Sequence, residues 1–332
     1  MNLQQRINLL KELGKYLSAN GSEWQQATGK AERENGWFTQ EFIQLAVSNI
    51  TEHYLDAGRL EAFAAAYQVP AEPAAPRRVG LVAAGNIPLV GFHDWLCIFL
   101  SGHHTVIKPS SKDQVLISHL LGKLAQWAPE TALLTQQAEM LKGCDAYIAT
   151  GSNNSARYFD YYFGKYPHII RRNRTSIAIL DGSETAAERE ALADDVHQYF
   201  GLGCRNVTKI FVPAGYDFVP LLNSFRKYGY FSDHNKYRNN YDYQLALLML
   251  NNKYYMTNDS LLLVEAEAVF SPVSQLNFSF YNNREGVLAT LSENNDIQCI
   301  VGRGFVPFGQ AQHPLLGDFA DGVDTMKFLQ GL

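Results

Sequence analysis

Between residues 77 and 163 short apolar runs alternate with longer stretches of helical period, and this alternation limits the possible folds most. Residues 79–83, 105–107 and 146–150 read as strands, and 88–101, 115–127 and 153–163 as helices. Strands and helices alternating at these lengths imply a parallel sheet wound by right-handed crossovers. A second such block begins near Ser176, with strands over 177–180, 208–212, 261–264, 277–281 and 297–301. Helical pattern fills 186–200 and most of 216–250. The polar run Arg171-Arg172-Asn173-Arg174 separates the blocks. Ahead of both, Ile7, Leu10, Leu13 and Leu17 form one helical stripe and Phe38, Phe42 and Leu45 begin another. The Pro/Ala-rich stretch 69–76 that follows cannot hold a helix. The expected class is α/β in two domains, the natural number for 332 residues.

Charge and cysteine usage exclude several kinds of partner. The net charge is −5 with no long basic run, which argues against nucleic-acid binding. The N-terminus lacks the apolar core of a signal peptide. The longest apolar stretch, 88–101, carries His93 and Asp94 and is too short to span a bilayer. The expectation is a soluble, cytoplasmic protein. Cys97, Cys144, Cys204 and Cys299 are widely spaced with no C-x-x-C, and His103-His104 has no companion ligands. No disulfide framework or metal site is expected.

Four short motifs carry chemistry. Cys204 lies in Gly201-Leu-Gly-Cys-Arg-Asn206, between a helix and a strand. Glycines there let the backbone approach closely, nearby N–H groups can meet an oxyanion, and Arg205 favours a thiolate. A structural cysteine in a glycine turn fits the residues equally well. Asn86-Ile87-Pro88-Leu89 follows the first strand of the first block, with Pro88 suited to the first turn of the next helix. Asn86 either caps that helix or offers its amide to an oxyanion. Lys108-Pro109-Ser110-Ser111 ends the second strand, where a lysine can reach a ribose or phosphate and the serines a phosphate; an exposed strand-end lysine is the plainer reading. Thr150-Gly151-Ser152 ends the next strand and opens a helix, an arrangement suited to a pyrophosphate.

In this order the motifs resemble those of the aldehyde dehydrogenase superfamily, from about Val79 to the C-terminus. Asn86-Ile-Pro-Leu resembles its Asn-Phe-Pro-Leu, Lys108-Pro-Ser its adenosine-ribose lysine motif, and Thr150-Gly-Ser its Thr-Gly-Ser. Gly203-Cys204 matches the position of its catalytic Gly-Gln-x-Cys. Val269-Phe-Ser-Pro-Val273 and Pro307-Phe-Gly309 are similar to its Ile-Phe-Gly-Pro-Val and late Pro-Phe-Gly. The resemblance implies a Rossmann-like cofactor domain plus a second α/β catalytic domain. Residues 1–174 would hold the N-terminal helices and the nucleotide site, 175–305 the nucleophile, and 306–332 a segment returning to the first domain. It assigns Cys204 as nucleophile and Asn86 as oxyanion donor. It assigns Lys108, Pro109, Ser110, Ser111, Thr150, Gly151 and Ser152 to the cofactor.

Departures from the family pattern narrow the reaction. Arg171 stands where hydrolytic members carry a general-base Glu, ahead of Ser176-Ile-Ala-Ile179. Without that base a thioester-derived acyl-enzyme leaves by hydride transfer more readily than by hydrolysis. The chain is thus similar to the long-chain acyl-CoA reductases of bacterial luminescence fatty-acid reduction. Ser111 stands where NAD-preferring members often carry a Glu, so the resemblance implies NADP, with NAD possible. The implied substrate is a fatty acyl-CoA or related acyl thioester, and a homo-oligomer or a partner enzyme of fatty-acid reduction remains open. Arg171, Arg172 and Arg174 read either as ligands for an anionic part of CoA or cofactor, or as a solvated charge run. Two alternatives stand beside this reading: an acyl-phosphate reductase of the glutamyl-phosphate type, and a non-catalytic scaffold or partner protein. Ala268 and Ala156 motivate the last, since they replace a family Glu at the nicotinamide ribose and a family Gly.

Overall fold

Strands buried on both faces read as continuous apolar runs, and the central strands of the first sheet are such runs. In the computed structural model, which describes residues 1–292 and 294–332, this sheet is parallel throughout. Its strands are β1 (Arg78–Val82), β2 (His104–Lys108), β3 (Thr135–Gln137), β4 (Ala146–Thr150) and β5 (His168–Arg171), in the order β3-β2-β1-β4-β5. It lies in the first of two units, residues 1–173 with 314–332; the second is residues 174–313.

The N-terminal helices are α1 (Leu3–Ala19), α2 (Ser22–Glu34), α3 (Gln40–Asn49) and α4 (Ala57–Ala66). A capping box between Asn2 and Gln5 starts α1, and the stripe Ile7, Leu10, Leu13 and Leu17 faces the core. Crossover helices α5 (Phe92–Ser101), α6 (Gln114–Trp127), the short α7 (Thr131–Leu134) and α8 (Asn153–Phe163) connect the strands. Every residue of α5 except His93 is buried. The apolar stretch read in the sequence is therefore a core helix. Among the described residues no helix is long and apolar enough to cross a membrane.

The sequence pattern starts α5 at Pro88, but the helix begins at Phe92. Leu89 takes a left-handed backbone, φ +56°, which delays the first helical turn. Two strands of this sheet, β3 and β5, escape the periodicity reading: β3 is short and wholly polar, and β5 is short with polar ends.

Arg171 is neither an anion ligand nor a solvated charge. It ends β5, is 2% exposed, and grips Asp94 of α5 with Nη2 at 2.8 Å from Oδ1 and Nε at 3.3 Å from Oδ2. Its Nη2 also donates to Thr325 Oγ1 at 2.8 Å, and its Nη1 donates to the Ala320 carbonyl. Burial pushes the Asp94 carboxyl upward, but the guanidinium's charge and hydrogen bonds outweigh this and leave it below the usual carboxylate range. The pair thus fastens the sheet and its core helix to the C-terminal segment. Arg172 is exposed and pairs with Asp160 at 2.8 Å.

The second unit holds a mixed sheet of β6 (Thr175–Ile179), β7 (Val207–Pro213), β8 (Met256–Thr257), β9 (Leu262–Glu265), β10 (Gln275–Tyr281) and β11 (Ile297–Val301). Their order is β11-β6-β7-β10-β9-β8, parallel except for the β8–β9 pair. Its helices are α9 (Ala186–His197), α10 (Phe218–Phe225), α11 (Asn235–Leu250) and α12 (Arg284–Ser292).

Removing one partner of the buried pair strands the other charge, at a cost of about 3–5 kcal/mol. Urea unfolding of Arg171→Met should show a loss of that size. Adding Asp94→Leu should recover much of it, because the stranded carboxylate is then gone.

Candidate active site

Thiol accessibility separates the four cysteines. Cys97 and Cys144 are buried, which pushes both thiols up and keeps them protonated, whereas Cys204 and Cys299 are partly exposed. Cys204 sits in the turn that feeds β7, just after the end of α9.

That turn is built under constraint. After α9 the chain passes through three consecutive left-handed residues, Tyr199 (φ +54°), Phe200 (φ +56°) and Gly201 (φ +74°). Glycine adopts this conformation freely; the two aromatic residues cost roughly 1–2 kcal/mol each. Such a conformation persists only when neighbouring groups over-determine it. Asn206, fully buried, supplies much of that determination. Its Oδ1 accepts from Gly203 N–H at 2.8 Å, and its Nδ2 donates to the carbonyls of Asp195 (3.1 Å), Val196 (3.3 Å) and Gln198 (2.8 Å). From the other side, Ser176 Oγ donates to the Cys204 carbonyl at 3.2 Å, accepts from Cys299 N–H at 3.2 Å, and lies 3.1 Å from Cys299 Sγ. The backbone on both sides of Cys204 is therefore fixed.

Four further buried polar groups lie in the same unit. Asp195 of α9 accepts from Gly309 N–H at 2.6 Å and Ala311 N–H at 2.9 Å, which holds the Pro307-Phe308-Gly309 motif. Burial pushes its carboxyl up to about 7 despite those bonds. His197 bonds the Ala193 carbonyl through Nδ1 at 2.8 Å and stacks on Tyr228, ring centroids 4.8 Å apart. Burial lowers its imidazole to about 4, so it stays neutral. Lys209 of β7 donates to the Ala266 carbonyl and to Ser279 Oγ (2.5 Å), with burial lowering its ammonium to about 8. Asn277 donates to the carbonyls of Ala268 (2.9 Å) and Phe270 (3.0 Å). Lys209 and Asn277 together tie down the strand-end segment that contains Ala268.

In the first unit the other motifs converge at one edge of the sheet. Strand register aligns Val82 with both Lys108 and Ala149, and Thr150 with Arg171. The segments following β1, β2 and β4 therefore leave the sheet at a common level, beside the β1/β4 switch where open parallel sheets bind ligands. Asn86 is exposed in the loop after β1. It does not cap α5, whose N-cap is Gly91. Lys108 and Ser111 are exposed, Pro109 and Ser110 half-buried. Ser110 Oγ accepts from Lys112 N–H at 3.2 Å. Ser152 caps α8 by accepting from Ser155 N–H at 3.2 Å, so its hydroxyl is already engaged by the helix. A Cβ on Gly151 would stand 2.9 Å from Ser155 Cβ, so glycine lets α8 close onto the end of β4. An exposed lysine, a half-buried threonine and a helix N-terminus at the carboxyl ends of parallel strands fit a dinucleotide.

Sequence comparison matches residues 72–219 to the acyl-CoA reductase (LuxC) family. No curated protein matches the chain. Among solved structures the chain is similar to the Mycobacterium tuberculosis aldehyde dehydrogenase complexed with NAD+, at 16% identity and TM-score 0.64, over 91% of this chain and 73% of that one. It is similar to aldehyde dehydrogenase 21 from Physcomitrella patens in complex with its product succinate, at 12% identity and TM-score 0.68, over 91% and 74%. It is also similar to an E. coli NADP-dependent enzyme, at 13% identity and TM-score 0.65, over 91% and 73%. At these identities the likeness is one of fold, and the fold is aldehyde-dehydrogenase-like.

Exposure predicts the order of alkylation. Iodoacetamide should label Cys204 and Cys299 in the folded protein and should spare Cys97 and Cys144 until the protein unfolds, as read by peptide mass spectrometry. The pH dependence has two signs. His197 is lowered in the fold, so the unfolded chain binds the extra proton and stability falls as pH drops from about 6.5 towards about 4. Asp195 is raised, so its contribution is lost as pH climbs from about 4 through about 7. The melting temperature of His197→Phe should fall less steeply on acidification than that of the wild type.

Proposed function

We propose that this chain, an oxidoreductase of the LuxC acyl-CoA reductase type in an aldehyde-dehydrogenase-like fold, reduces a fatty acyl thioester to an aldehyde through an acyl-enzyme on Cys204. The observation that carries the proposal is the fixed, partly exposed Cys204 turn, held by Asn206 and Ser176 within a fold and family that act on acyl and aldehyde groups.

Cys204 attacks the thioester carbonyl and CoA leaves as the thiolate, so one thioester replaces another. The tetrahedral oxyanion formed on the way is assigned two donors, the Cys204 backbone N–H and the Asn86 amide. The assignment of Asn86 rests on the resemblance of Asn86-Ile-Pro-Leu89 to the family element. A reduced nicotinamide dinucleotide, when bound, supplies the hydride that turns the Cys204 acyl thioester into a thiohemiacetal. Lys108, Ser110, Thr150 and Gly151 are the residues proposed to hold it, with Pro109, Ser111 and Ser152 shaping the same strand ends. Collapse of the thiohemiacetal returns the Cys204 thiol and releases aldehyde. Arg171 takes no part as a base, because its guanidinium is bound to Asp94. Ser111 places no carboxylate beside a ribose 2′-phosphate, which favours NADPH over NADH.

Acyl-CoA-dependent NADPH oxidation with aldehyde as product tests the reading. Cys204→Ala should lower kcat by at least about a thousandfold, and Asn86→Ala by roughly 10²–10³. Turnover by Cys204→Ala at the wild-type rate would remove Cys204 from the mechanism.

A further inference from the structure

We infer that Asp113 is a positioning residue for the oxyanion loop: its buried carboxyl holds in place the loop, residues 84–91, that carries Asn86. The inference rests on the reading above in one respect, the role given to Asn86.

The loop leaves the sheet where β1 ends. Ala83 N–H donates to the Lys108 carbonyl at 3.1 Å, and no helix or strand follows until Phe92. Within it Leu89, 3% exposed, has a left-handed backbone that a leucine adopts at a cost. Leu89 N–H donates to Asp113 Oδ2 at 2.6 Å, and its carbonyl accepts from Phe92 N–H at 2.9 Å, so Asp113 fixes the amide that enters the strained residue.

Asp113 occupies the N-cap position of α6, where an aspartate normally accepts from N–H groups of the first helical turn. Here its side chain makes no such capping bond. The acceptor is directed to the loop instead. Asp113 is 6% exposed, and its Oδ1 has no hydrogen-bond partner among the described residues. Burial pushes it up to about 8, against the bond from Leu89, so at neutral pH it is mainly a neutral acid. A neutral acid tolerates one unpaired oxygen far better than a buried carboxylate does.

The anchor behind Asp113 is rigid. Its own N–H donates to the Ser110 carbonyl at 3.0 Å, and Asn35 Nδ2 at the end of α2 donates to the Lys112 carbonyl at 3.1 Å. Ser110 also meets the loop directly: a Cβ on Gly85 would lie 2.6 Å from Ser110 Oγ. The turn after Lys108 therefore touches the loop on both sides of Asn86, at Gly85 by packing and at Leu89 by a hydrogen bond.

The test is a double-mutant cycle on acyl-CoA reduction. Asp113→Ala should lower kcat by about 10- to 100-fold, the effect of a small misplacement of a reacting group. KM for acyl-CoA should stay within a fewfold and Cys204 alkylation should proceed at the wild-type rate. Asp113→Asn, which keeps an acceptor for Leu89 N–H, should restore most of kcat. In an Asn86→Ala background Asp113→Ala should cost little more. Additive losses, an unaffected kcat in Asp113→Ala, or a parallel fall in Cys204 alkylation would each overturn the inference. If the alanine variant does not fold, Asp113→Leu, which fills the volume but accepts nothing, replaces it in the cycle. Full activity in Asn86→Ala would instead sink the oxyanion role of Asn86, an outcome distinct from additivity at Asp113.

Discussion

The carboxamide of Asn206 binds both ends of the segment that presents Cys204. Its oxygen receives Gly203 N–H, and its nitrogen reaches three carbonyls at the end of α9. These bonds brace the left-handed Tyr199 and Phe200 and leave Cys204 partly exposed beyond them. An amide suits this duty because it donates and accepts at once without carrying charge. A carboxylate there would face three carbonyl oxygens with no proton to give them.

The same economy recurs around the motifs. Asp195 receives the backbone of the Pro307-Phe308-Gly309 motif, Asn277 donates to the carbonyls around Val269, and Asp113 receives the loop that carries Asn86. In each case a buried polar side chain two or more residues outside a recognisable motif fixes that motif's backbone. Buried groups of this kind are costly if half-satisfied and rigidifying when bonded. The chemistry proposed here needs rigidity, since an oxyanion donor is effective only at the position where charge develops.

How much of this was legible in sequence depended on range. Alternation of apolar runs located β4, α8 and β11 at the observed limits, because local periodicity decides buried strands and amphipathic helices. The same reading carried α9 past His197, because nothing local reveals that Tyr199 and Phe200 turn left-handed. Asn86, Lys108, Thr150 and Cys204 were visible as motifs. Their supports were not: Asn206, Asp195 and Asp113 look like ordinary polar neighbours until their partners are known. Arg171 is the sharpest case. Its neighbours Arg172 and Arg174 made it look like part of a charge run, whereas its partner Asp94 lies on a different element, 77 residues away.

The central claim is that Cys204 carries the acyl group. Incubation with a long-chain acyl-CoA in the absence of reduced cofactor, followed by peptide mass spectrometry, measures this directly. The account predicts one acyl adduct, on the Cys204 peptide, discharged as aldehyde when NADPH is added. An adduct on Cys299, or aldehyde production with Cys204 replaced by alanine, would contradict it.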